Sequence, residues 1–245
     1  MPAAIRIGCA GWSIPSRHRA LFGDEGSHLA RYATRFDAVE INSSFYRPHA
    51  ATTYARWAAQ VPARFHFSVK LPRAITHEAG LRRCGAAIDR FADEVAGLGR
   101  KLGGVLVQLP PGLAYDARVA GTFFAMLRRR IAAPVACEPR HASWFAPAVD
   151  ALWRRHAVAR VAADPARVPA AGEPGGAGHW RYWRWHGSPR MYYDAYDDAR
   201  LRALAADLRA GGGARRPAWC IFDNTAAGHA LADAARLQAL LGIAP

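Results

Sequence analysis

Lysine is almost absent from this 245-residue chain, where Lys70 and Lys101 stand beside 31 arginines and the formal net charge is +14. A charge of that size favours nucleic acid or phosphate partners, because arginine pairs with phosphate oxygens in a bidentate way. The chain is also crowded with Ala, Gly and Pro. The excess of arginine therefore reflects coding bias as much as selection for a basic surface, and the net charge alone identifies no partner.

Cysteines and long apolar runs are scarce as well. The four cysteines show no C-x-x-C spacing, so structural disulfides and a zinc knuckle are not expected. No stretch reaches the ~18 apolar residues of a membrane span. Residues 1–11 lack the apolar run of ~7–15 residues that a signal peptide needs. We expect a soluble cytoplasmic protein that has no membrane partner.

What the chain does contain is a set of short apolar stretches with polar residues at every second position. Eight of them are predicted as strands: Ile5–Ala10, Ala38–Ser44, Phe65–Leu71, Gly104–Leu109, Val135–Glu138, Ala159–Asp164, Tyr182–His186 and Trp219–Asp223. Within each stretch the polar residues occupy every second position, whereas the residues between them are nearly all apolar. Each strand should therefore turn one face to a hydrophobic layer and the other face to a polar interior.

Helical periodicity separates most of these strands. The predicted helices run from a Ser27 cap through Phe36 and over Thr53–Gln60 (opened by Thr52), Ala86–Lys101, Ala117–Ile131, Pro147–His156, Asp198–Ala210 and His229–Leu241. This alternation predicts an α/β fold with a parallel sheet covered outside by helices. The length matches the roughly 250 residues of a (β/α)8 barrel. We predict one TIM-like barrel domain over residues 1–245.

Two connections depart from this pattern. Between the sixth and seventh predicted strands, residues 165–180 are too rich in Gly and Pro to hold a helix. This irregular segment is either a mobile loop over the barrel mouth or a surface excursion. Before the last strand, Arg215, Arg216 and Pro217 follow three glycines and are predicted to form a turn.

The carboxyl ends of the strands should carry the chemistry, because loops there vary without disturbing the packed layers beneath. Polar residues predicted to point into this mouth are Lys70, Gln108, Glu138, Arg140, Asp164, His186 and Asp223. Glu40 and Asn42 should lie one step deeper in the barrel interior than these mouth residues. His66 and Arg160 stand near the starts of their strands, where a structural role is expected.

A series of motifs links these positions. In order along the chain they are Gly8-Cys-Ala-Gly-Trp12-Ser13, Val39-Glu40-Ile-Asn42-Ser-Ser-Phe45-Tyr46, Phe67-Ser-Val-Lys70-Leu-Pro-Arg73 with Thr76-His77, Gln108-Leu-Pro-Pro111, Glu138-Pro-Arg140-His-Ala-Ser143-Trp144 and Tyr182-Trp-Arg184-Trp-His186-Gly187. Together they resemble the YecE-like family, a widespread domain of unknown function. The resemblance covers nearly the whole chain and implies a TIM-like barrel, but it supplies no activity.

The residues themselves suggest acid–base chemistry. Glu40 and Glu138 are candidate general acids or bases, because a carboxyl in a barrel interior loses hydration and its pKa rises unless a cation compensates. Lys70 and Arg140 are the candidate cations. Lys70 is alternatively a reactive amine, since a lysine can lose its proton and an arginine cannot. His186 completes the predicted catalytic group. Predicted substrate-binding residues are Asn42, Tyr46, Arg73, His77, Gln108, Arg140, Trp144, Asp164, Arg184, Asp223 and Asn224.

Three classes of function remain open from the sequence. The first is a hydrolase or lyase acting on a small anionic, phosphorylated or nucleic-acid-like substrate. The second is a carbohydrate-active or sugar-isomerising enzyme that stacks a sugar on aromatic rings. The third is a non-catalytic protein that binds nucleic acid or a metabolite. The sequence does not identify a cofactor, and a divalent metal such as Mn²⁺, Zn²⁺ or Mg²⁺ is a weaker hypothesis that rests on Glu138, Asp164, His186 and Asp223.

Overall fold

The computed structural model of this protein describes residues 5–177, 180–211 and 217–244. Its strands are β1 Ile5–Cys9, β2 Ala38–Ile41, β3 His66–Lys70, β4 Leu102–Gln108, β5 Val135–Glu138, β6 Val158–Arg160, β7 Ala162–Asp164, β8 Gly175–Gly176, β9 Arg181–Trp185 and β10 Ala218–Phe222. They form two sheets with the orders β1-β10-β9-β7 and β2-β3-β4-β5-β6-β8. Every strand pair is parallel except β6 with β8. The predicted α/β class with parallel pairing is confirmed.

The predicted helices are all present, with shifted ends. They are α1 His28–Tyr32, α2 Ala51–Ala59, α3 Gly85–Val95, α4 Ala117–Arg130, α5 Asp150–Arg155, α6 Asp198–Gly211 and α7 Ala230–Leu241. The Ser27 hydroxyl accepts a hydrogen bond from the Ala30 amide at 3.2 Å, which confirms the predicted cap. Thr52 does not open α2, because Ala50 is its N-terminal cap residue and gives no side-chain hydrogen bond.

Short helical turns fill several loops at the carboxyl ends of the strands. They cover Ser43–Phe45, Ala74–Glu78, Ala142–Phe145 and Pro169–Gly172, while Ser16–Leu21, Ala96–Lys101 and Pro147–Val149 complete the set. The second predicted strand therefore ends at Ile41 rather than at Ser44. These turns hold the residues that follow each strand close to the sheet, where the polar site lies.

The two sheets meet at two junctions. At one junction Ala10 bridges Glu40 in parallel fashion, and the Gly11 amide donates to the Glu40 carbonyl at 2.9 Å. At the other junction the sixth predicted strand divides into β6 and β7 on either side of Val161. The hydrogen-bonded ladder is consequently interrupted, so the strand pairing establishes two sheets rather than the continuous closed barrel that the sequence predicts.

The Gly- and Pro-rich connection explains the second interruption. Its strand β8 pairs antiparallel with the outer edge of β6, and β9 pairs with β7 instead. Glycine is required there, since a Cβ on Gly176 would lie 2.5 Å from the Val158 carbonyl oxygen and the φ angle is +79°. The segment therefore leaves the mouth and returns along the edge of β6. Residues 178–179 of this connection and the predicted turn at Arg215 and Arg216 lie outside the described residues.

An apolar cluster joins the inner faces of the two sheets below the polar site. Its large members are Trp180, Tyr182 and Trp219, and its small ones are Ala38, Leu106, Ala136, Ala159, Val161 and Ile221. A Cβ on Gly104 would lie 2.4 Å from the Trp180 ring, so a glycine gives this indole its space. The cluster fills the lower interior and confines the polar groups to the carboxyl ends of the strands. Among the helices of the described ranges, none has the length and apolar character to cross a membrane.

Candidate functional site

Arg184 lies at the centre of a buried ionic cluster. Its guanidinium donates to Glu40 Oε1 and Oε2 at 2.7 and 3.0 Å, to Glu138 Oε2 at 2.7 Å and to Asp223 Oδ2 at 3.0 Å. The three carboxylates come from the ends of β2, β5 and β10. Burial opposes the positive charge, but these carboxylates raise the pKa of Arg184 well above its ordinary value. Arginine at this strand end thus brings together residues that are distant in sequence.

His186 bridges two of the same carboxylates. Its Nδ1 atom is 3.0 Å from Asp223 Oδ2, and its Nε2 atom is 3.1 Å from Glu138 Oε1. An ionised carboxylate only accepts hydrogen bonds, so both ring nitrogens must carry protons for both bonds to form. Burial lowers the pKa of His186, but the Glu138 charge and the two hydrogen bonds raise it above the ordinary value. The geometry therefore favours an imidazolium.

Glu138 is surrounded by cations. Arg140 Nε donates to its Oε1 atom at 2.9 Å, in addition to the contacts with Arg184 and His186. Burial raises the pKa of this carboxyl, but the charges of Arg184, Arg140 and His186 hold it well below the ordinary value. Glu138 is thus held ionised. This environment favours a fixed anion over the proton exchange predicted from the sequence.

Glu40 lies deeper, as the sequence predicts, and it is completely buried. Both of its oxygens receive hydrogen bonds from Arg184, and the Tyr182 hydroxyl donates to Oε2 at 2.9 Å. Arg184 therefore stands between Glu40 and the mouth. This position favours a role in orienting Arg184 over direct contact with a substrate.

Lys70 differs from every other cation in the interior. Its side chain is only 5% exposed, yet within the described residues its amine has no carboxylate oxygen within 4.0 Å and donates no hydrogen bond. The Nζ atom lies 4.2 Å from the centroid of the Phe45 ring. Burial, followed by the charge of Arg184, lowers the pKa of Lys70 to about 8. The amine is consequently available to a ligand or to chemistry.

Two amides add unused polar groups near this amine. Gln108 stands opposite Glu138 in the strand register and is 6% exposed, and its side chain makes no hydrogen bond to another described residue. The Oδ1 atom of Asn42 is buried, also without a partner in the described ranges. Buried polar groups normally find partners. These two side chains are therefore suited to hold a polar ligand.

A groove of about 290 Å³ lies between the loops that follow β2 and β3 and helix α3. It is lined by Phe45, Tyr46 and Arg73, among other residues. Tyr46 is 73% exposed, and the His77 ring meets Phe45 edge-on at 4.9 Å. Burial, then the charge of Lys70, lowers the pKa of His77 below its ordinary value. Of the predicted residues, Tyr46 and Arg73 therefore line this groove and His77 packs on Phe45, and none of the three makes a hydrogen bond or ion pair with Arg184.

Asp164 does not join the cluster, which corrects the sequence prediction. Asp164 lies two residues after Ala162 and therefore on the same side of the strand, and Ala162 packs in the core between the strands and the helices. Its carboxylate accepts a hydrogen bond from the Tyr196 hydroxyl at 2.9 Å and pairs with Arg200. Ala159 and Val161 are the residues of this segment that line the inner cluster, so the inward-facing positions are the odd-numbered ones and Asp164 has the outward parity.

Trp144 and Asn224 are also corrected, since both are structural in this fold. Trp144 is 1% exposed, stacks on Trp153 at 5.6 Å and donates from Nε1 to the Leu113 carbonyl at 2.8 Å. Asn224 Nδ2 donates to Asp233 Oδ2 at 2.8 Å, away from the mouth. Both residues follow polar strand ends in the sequence, but local packing turns their side chains into the loops.

Two tyrosines gain importance from the structure. Tyr182 supports Glu40 from below. It alternates with Arg184 and His186 along the same strand, and this spacing in the sequence could have identified it as an inward-facing residue. The Tyr192 hydroxyl accepts from the Arg140 guanidinium at 3.4 Å, and its ring meets His186 edge-on at 5.6 Å. Its φ angle of +71° is uncommon for a residue other than glycine. No pattern in the sequence fixes this loop geometry.

Loops cover the cluster from above. The cavity bounded by Glu138, Arg140 and His186 holds about 10 Å³, and Pro165, Ala171 and Met191 close it. That volume admits at most about one water molecule. The Gly- and Pro-rich connection thus covers part of the mouth before it returns along β6.

The candidate metal ligands do not form a metal site among the described residues. No group of three or more suitable side chains converges there. Glu138, His186 and Asp223 are close together, but the Arg184 guanidinium lies between their carboxylates. Asp164 faces Arg200 instead. This donor set is therefore arranged for cationic side chains rather than for a metal ion.

Solved structures with the same fold include DUF72 family proteins of two bacteria. The protein from Enterococcus faecalis V583 superposes with a TM-score of 0.81 at 22% identity, covering 98% of this chain and 96% of that one. The protein from Thermotoga maritima MSB8 gives a TM-score of 0.80 at 20% identity, covering 98% and 99%. At these identities the similarity shows the fold alone.

Similar sequences carry names without a stated activity. UPF0759 protein YecE of Escherichia coli K12 is 32% identical over 106 residues, which is 43% of this chain and 38% of YecE. UPF0759 protein YunF of Bacillus subtilis 168 is 27% identical over 154 residues, or 58% of this chain and 53% of YunF. The matches thus span about half or less of these relatives. The family described as "Protein of unknown function DUF72" matches residues 6–245. The resemblance to YecE-like proteins is confirmed, and this chain belongs to the DUF72 family.

Proposed function

We propose that this protein is an enzyme of the hydrolase or lyase type that binds a small anionic, phosphorylated or carboxylated, substrate at the carboxyl ends of its strands. The single observation that carries the proposal is the amine of Lys70, which belongs to a side chain only 5% exposed and has no carboxylate partner among the described residues. A lysine in the interior normally pairs with a carboxylate. Here the neighbouring carboxylates are already occupied, so the partner that Lys70 lacks is an anion from outside the chain.

The charges of the cluster support this view. Glu40, Glu138 and Asp223 carry three negative charges, and Arg184, Arg140 and the His186 imidazolium carry three positive ones. A protonated Lys70 adds one uncompensated positive charge. An anionic group bound at Lys70 would neutralise it in a poorly solvated interior, where Coulomb attraction is strong. Gln108 and Asn42 would give hydrogen bonds to the same ligand.

Proton transfer in this site is assigned to Lys70 and His186. A lysine pKa of about 8 lies near physiological pH, which suits a group that both gives and takes protons. Glu138 and Glu40 would serve as fixed anions that orient His186 and Arg184. Arg140 and Tyr192 lie above them and would contact the substrate. Because the covered cavity is so small, the loop at Met191 or the segment at Ala171 must move before a substrate that has reached Lys70 can also contact Arg140 and His186.

The proposal includes the architecture around the site. We propose that the two sheets act as one eight-stranded barrel, closed at the Ala10–Glu40 bridge and at Val161, and that residues 1–245 form one domain. Support comes from the shared apolar cluster inside both sheets and from the cyclic order of neighbouring strands. We also propose a cytoplasmic location, because all four cysteines are free, as is usual in a reducing compartment.

Calorimetric titration tests the binding step with a matched pair of ligands, glycerol 3-phosphate and glycerol. The account predicts that only the phosphate ester binds and that Lys70→Gln weakens its binding at least tenfold. Lys101→Gln is the control, because the Lys101 amine donates to the Ala58 and Val61 carbonyls outside the site. A substrate screen should then give turnover in the wild type and in Lys101→Gln but not in Lys70→Gln. Equal binding of glycerol, or no effect of Lys70→Gln, would contradict the proposal.

A further inference from the structure

Lys70 is placed where an arginine would serve better if only a fixed charge were needed. The chain has 31 arginines and two lysines. The other lysine, Lys101, caps a helix end through backbone carbonyls. Arginine holds its proton under all physiological conditions, whereas lysine can release it when buried. The choice of lysine at the centre of the mouth therefore points to use of the neutral amine.

Burial and a neighbouring cation disfavour the charged form of the amine. The Lys70 side chain is 5% exposed, Nζ has no carboxylate oxygen within 4.0 Å among the described residues, and the cationic Arg184 shares the interior. The Phe45 ring face, 4.2 Å from Nζ, acts in the opposite sense and favours the ammonium. A desolvated lysine beside another cation is a recognised arrangement for an amine nucleophile. The partnerless Asn42 Oδ1 atom and the Gln108 side chain, which stands opposite Glu138, would hold polar substituents of a bound molecule.

We propose that the Lys70 ε-amine forms an imine with the carbonyl carbon of an anionic aldehyde or ketone. This inference rests on the proposed anion site and names its substrate class and its reacting atom. The groove beside Phe45 provides the approach, because Phe45 both lines that groove and covers the amine.

The step balances without an added oxidant or reductant. The Nζ lone pair attacks the carbonyl carbon, a carbon–nitrogen bond forms, and the carbonyl π electrons move to oxygen, which takes a proton. The carbinolamine hydroxyl takes a proton from solvent or from the His186 imidazolium and leaves as water, which gives the protonated imine, and loss of the remaining nitrogen proton to the same acceptor gives the neutral imine. The protonated imine withdraws electrons from the neighbouring carbon–carbon bond, which permits lyase chemistry. Water reverses the linkage and releases the product.

Reductive trapping tests this inference. The intact protein is treated with borohydride in the presence of glyoxylate, pyruvate or glycolaldehyde phosphate, and glycolaldehyde serves as the neutral control of matched size. Peptide mapping then locates the reduced adduct. We expect saturable labelling of Lys70 by the anionic carbonyls, at least tenfold above that of Lys101 and above labelling by glycolaldehyde. The urea-denatured chain should lose this preference, since both lysines then become accessible.

Two variants complete the test. Lys70→Arg should lose the adduct while it keeps its fold and part of its anion binding, and Lys101→Arg should keep the adduct at Lys70. No adduct at Lys70 across the panel, or equal labelling of both lysines in the folded protein, would overturn the imine. If glycerol 3-phosphate still binds in a Lys70-dependent way, the proposed anion site survives that failure. If this binding is absent as well, both proposals fall.

Discussion

The Arg184 guanidinium donates to both carboxylate oxygens of Glu40, at 2.7 and 3.0 Å, and both side chains are fully buried. This bidentate geometry is the strongest form of such a pair. The remaining guanidinium hydrogens reach Glu138 and Asp223, so one arginine holds three strand ends together. The cluster should therefore govern stability as well as the site's charge.

Loss of Arg184 should be strongly destabilising. Arg184→Met leaves three buried carboxylates without their shared cation, and we expect the free energy of unfolding to fall by at least about 3 kcal/mol. Chemical denaturation monitored by circular dichroism measures this change. Arg130→Met is the control, because Arg130 pairs with Asp89 on the surface and should shift the denaturation midpoint very little. Adding Glu40→Gln to Arg184→Met should restore part of the loss. Equal midpoints for the two arginine variants would contradict this assignment.

Replacement of Lys70 should stabilise the fold while it removes function. Lys70→Met eliminates a buried unpaired charge, and the shift of its pKa from 10.5 to about 8 sets a gain of at most about 3 kcal/mol at pH 7. Between pH 8 and 10.5 the unfolded chain binds more protons at this lysine than the folded chain does. Wild-type stability from this group therefore rises with pH, and the advantage of the variant shrinks. Denaturant midpoints at pH 7 and pH 10 measure both effects, and a destabilised Lys70→Met at pH 7 would refute the unpaired charge.

His186 should remain protonated above pH 6.5. Its folded pKa is raised by Glu138 and Asp223, so its stabilising contribution is complete below the ordinary value and is lost as pH rises through the folded value. Nitrogen-15 NMR of the imidazole rings distinguishes the charged form from either neutral tautomer. His77 provides the opposite case in the same sample, since its pKa is lowered. A neutral His186 ring at pH 6.5 would remove the imidazolium from the charge balance.

Tyr46 and Trp144 should separate function from packing. Tyr46→Ala removes a side chain that is 73% exposed, so we expect stability to change by less than about 0.5 kcal/mol, with weaker binding of anionic carbonyl compounds. Trp144→Ala empties a buried site and should cost about 3–5 kcal/mol. Thermal unfolding and calorimetric titration of both variants check these outcomes. A destabilised Tyr46→Ala with unchanged binding would reverse the two assignments.

The sequence allowed the positions of most inner-face residues to be predicted, because side chains alternate along a strand. Glu40, Lys70, Gln108, Glu138, Arg184, His186 and Asp223 all lie where that alternation places them. The alternation holds at Asp164 too, but the inward parity was assigned to the wrong residues: Ala159 and Val161 face the inner cluster, and Ala162, which has the parity of Asp164, packs in the outer core.

Loop side chains could not be predicted in the same way. Trp144 and Tyr46 both follow a polar strand end, yet one packs against Trp153 and the other is exposed to solvent. That difference depends on contacts made by distant segments, which the spacing of residues does not encode. The same holds for Glu138, whose ionisation depends on Arg184 and Arg140 being brought to it by the fold.

Titration of the lysine Nζ atoms by nitrogen-15 NMR tests the central claim most directly. The chain has two lysines, so lysine-labelled protein gives two Nζ signals, and Lys101→Arg assigns them. The account predicts that Lys70 titrates with a midpoint near pH 8 and that glycerol 3-phosphate, but not glycerol, raises this midpoint, because a bound anion stabilises the ammonium form. A midpoint near the ordinary value of 10.5 that does not move with the phosphate ester would contradict it.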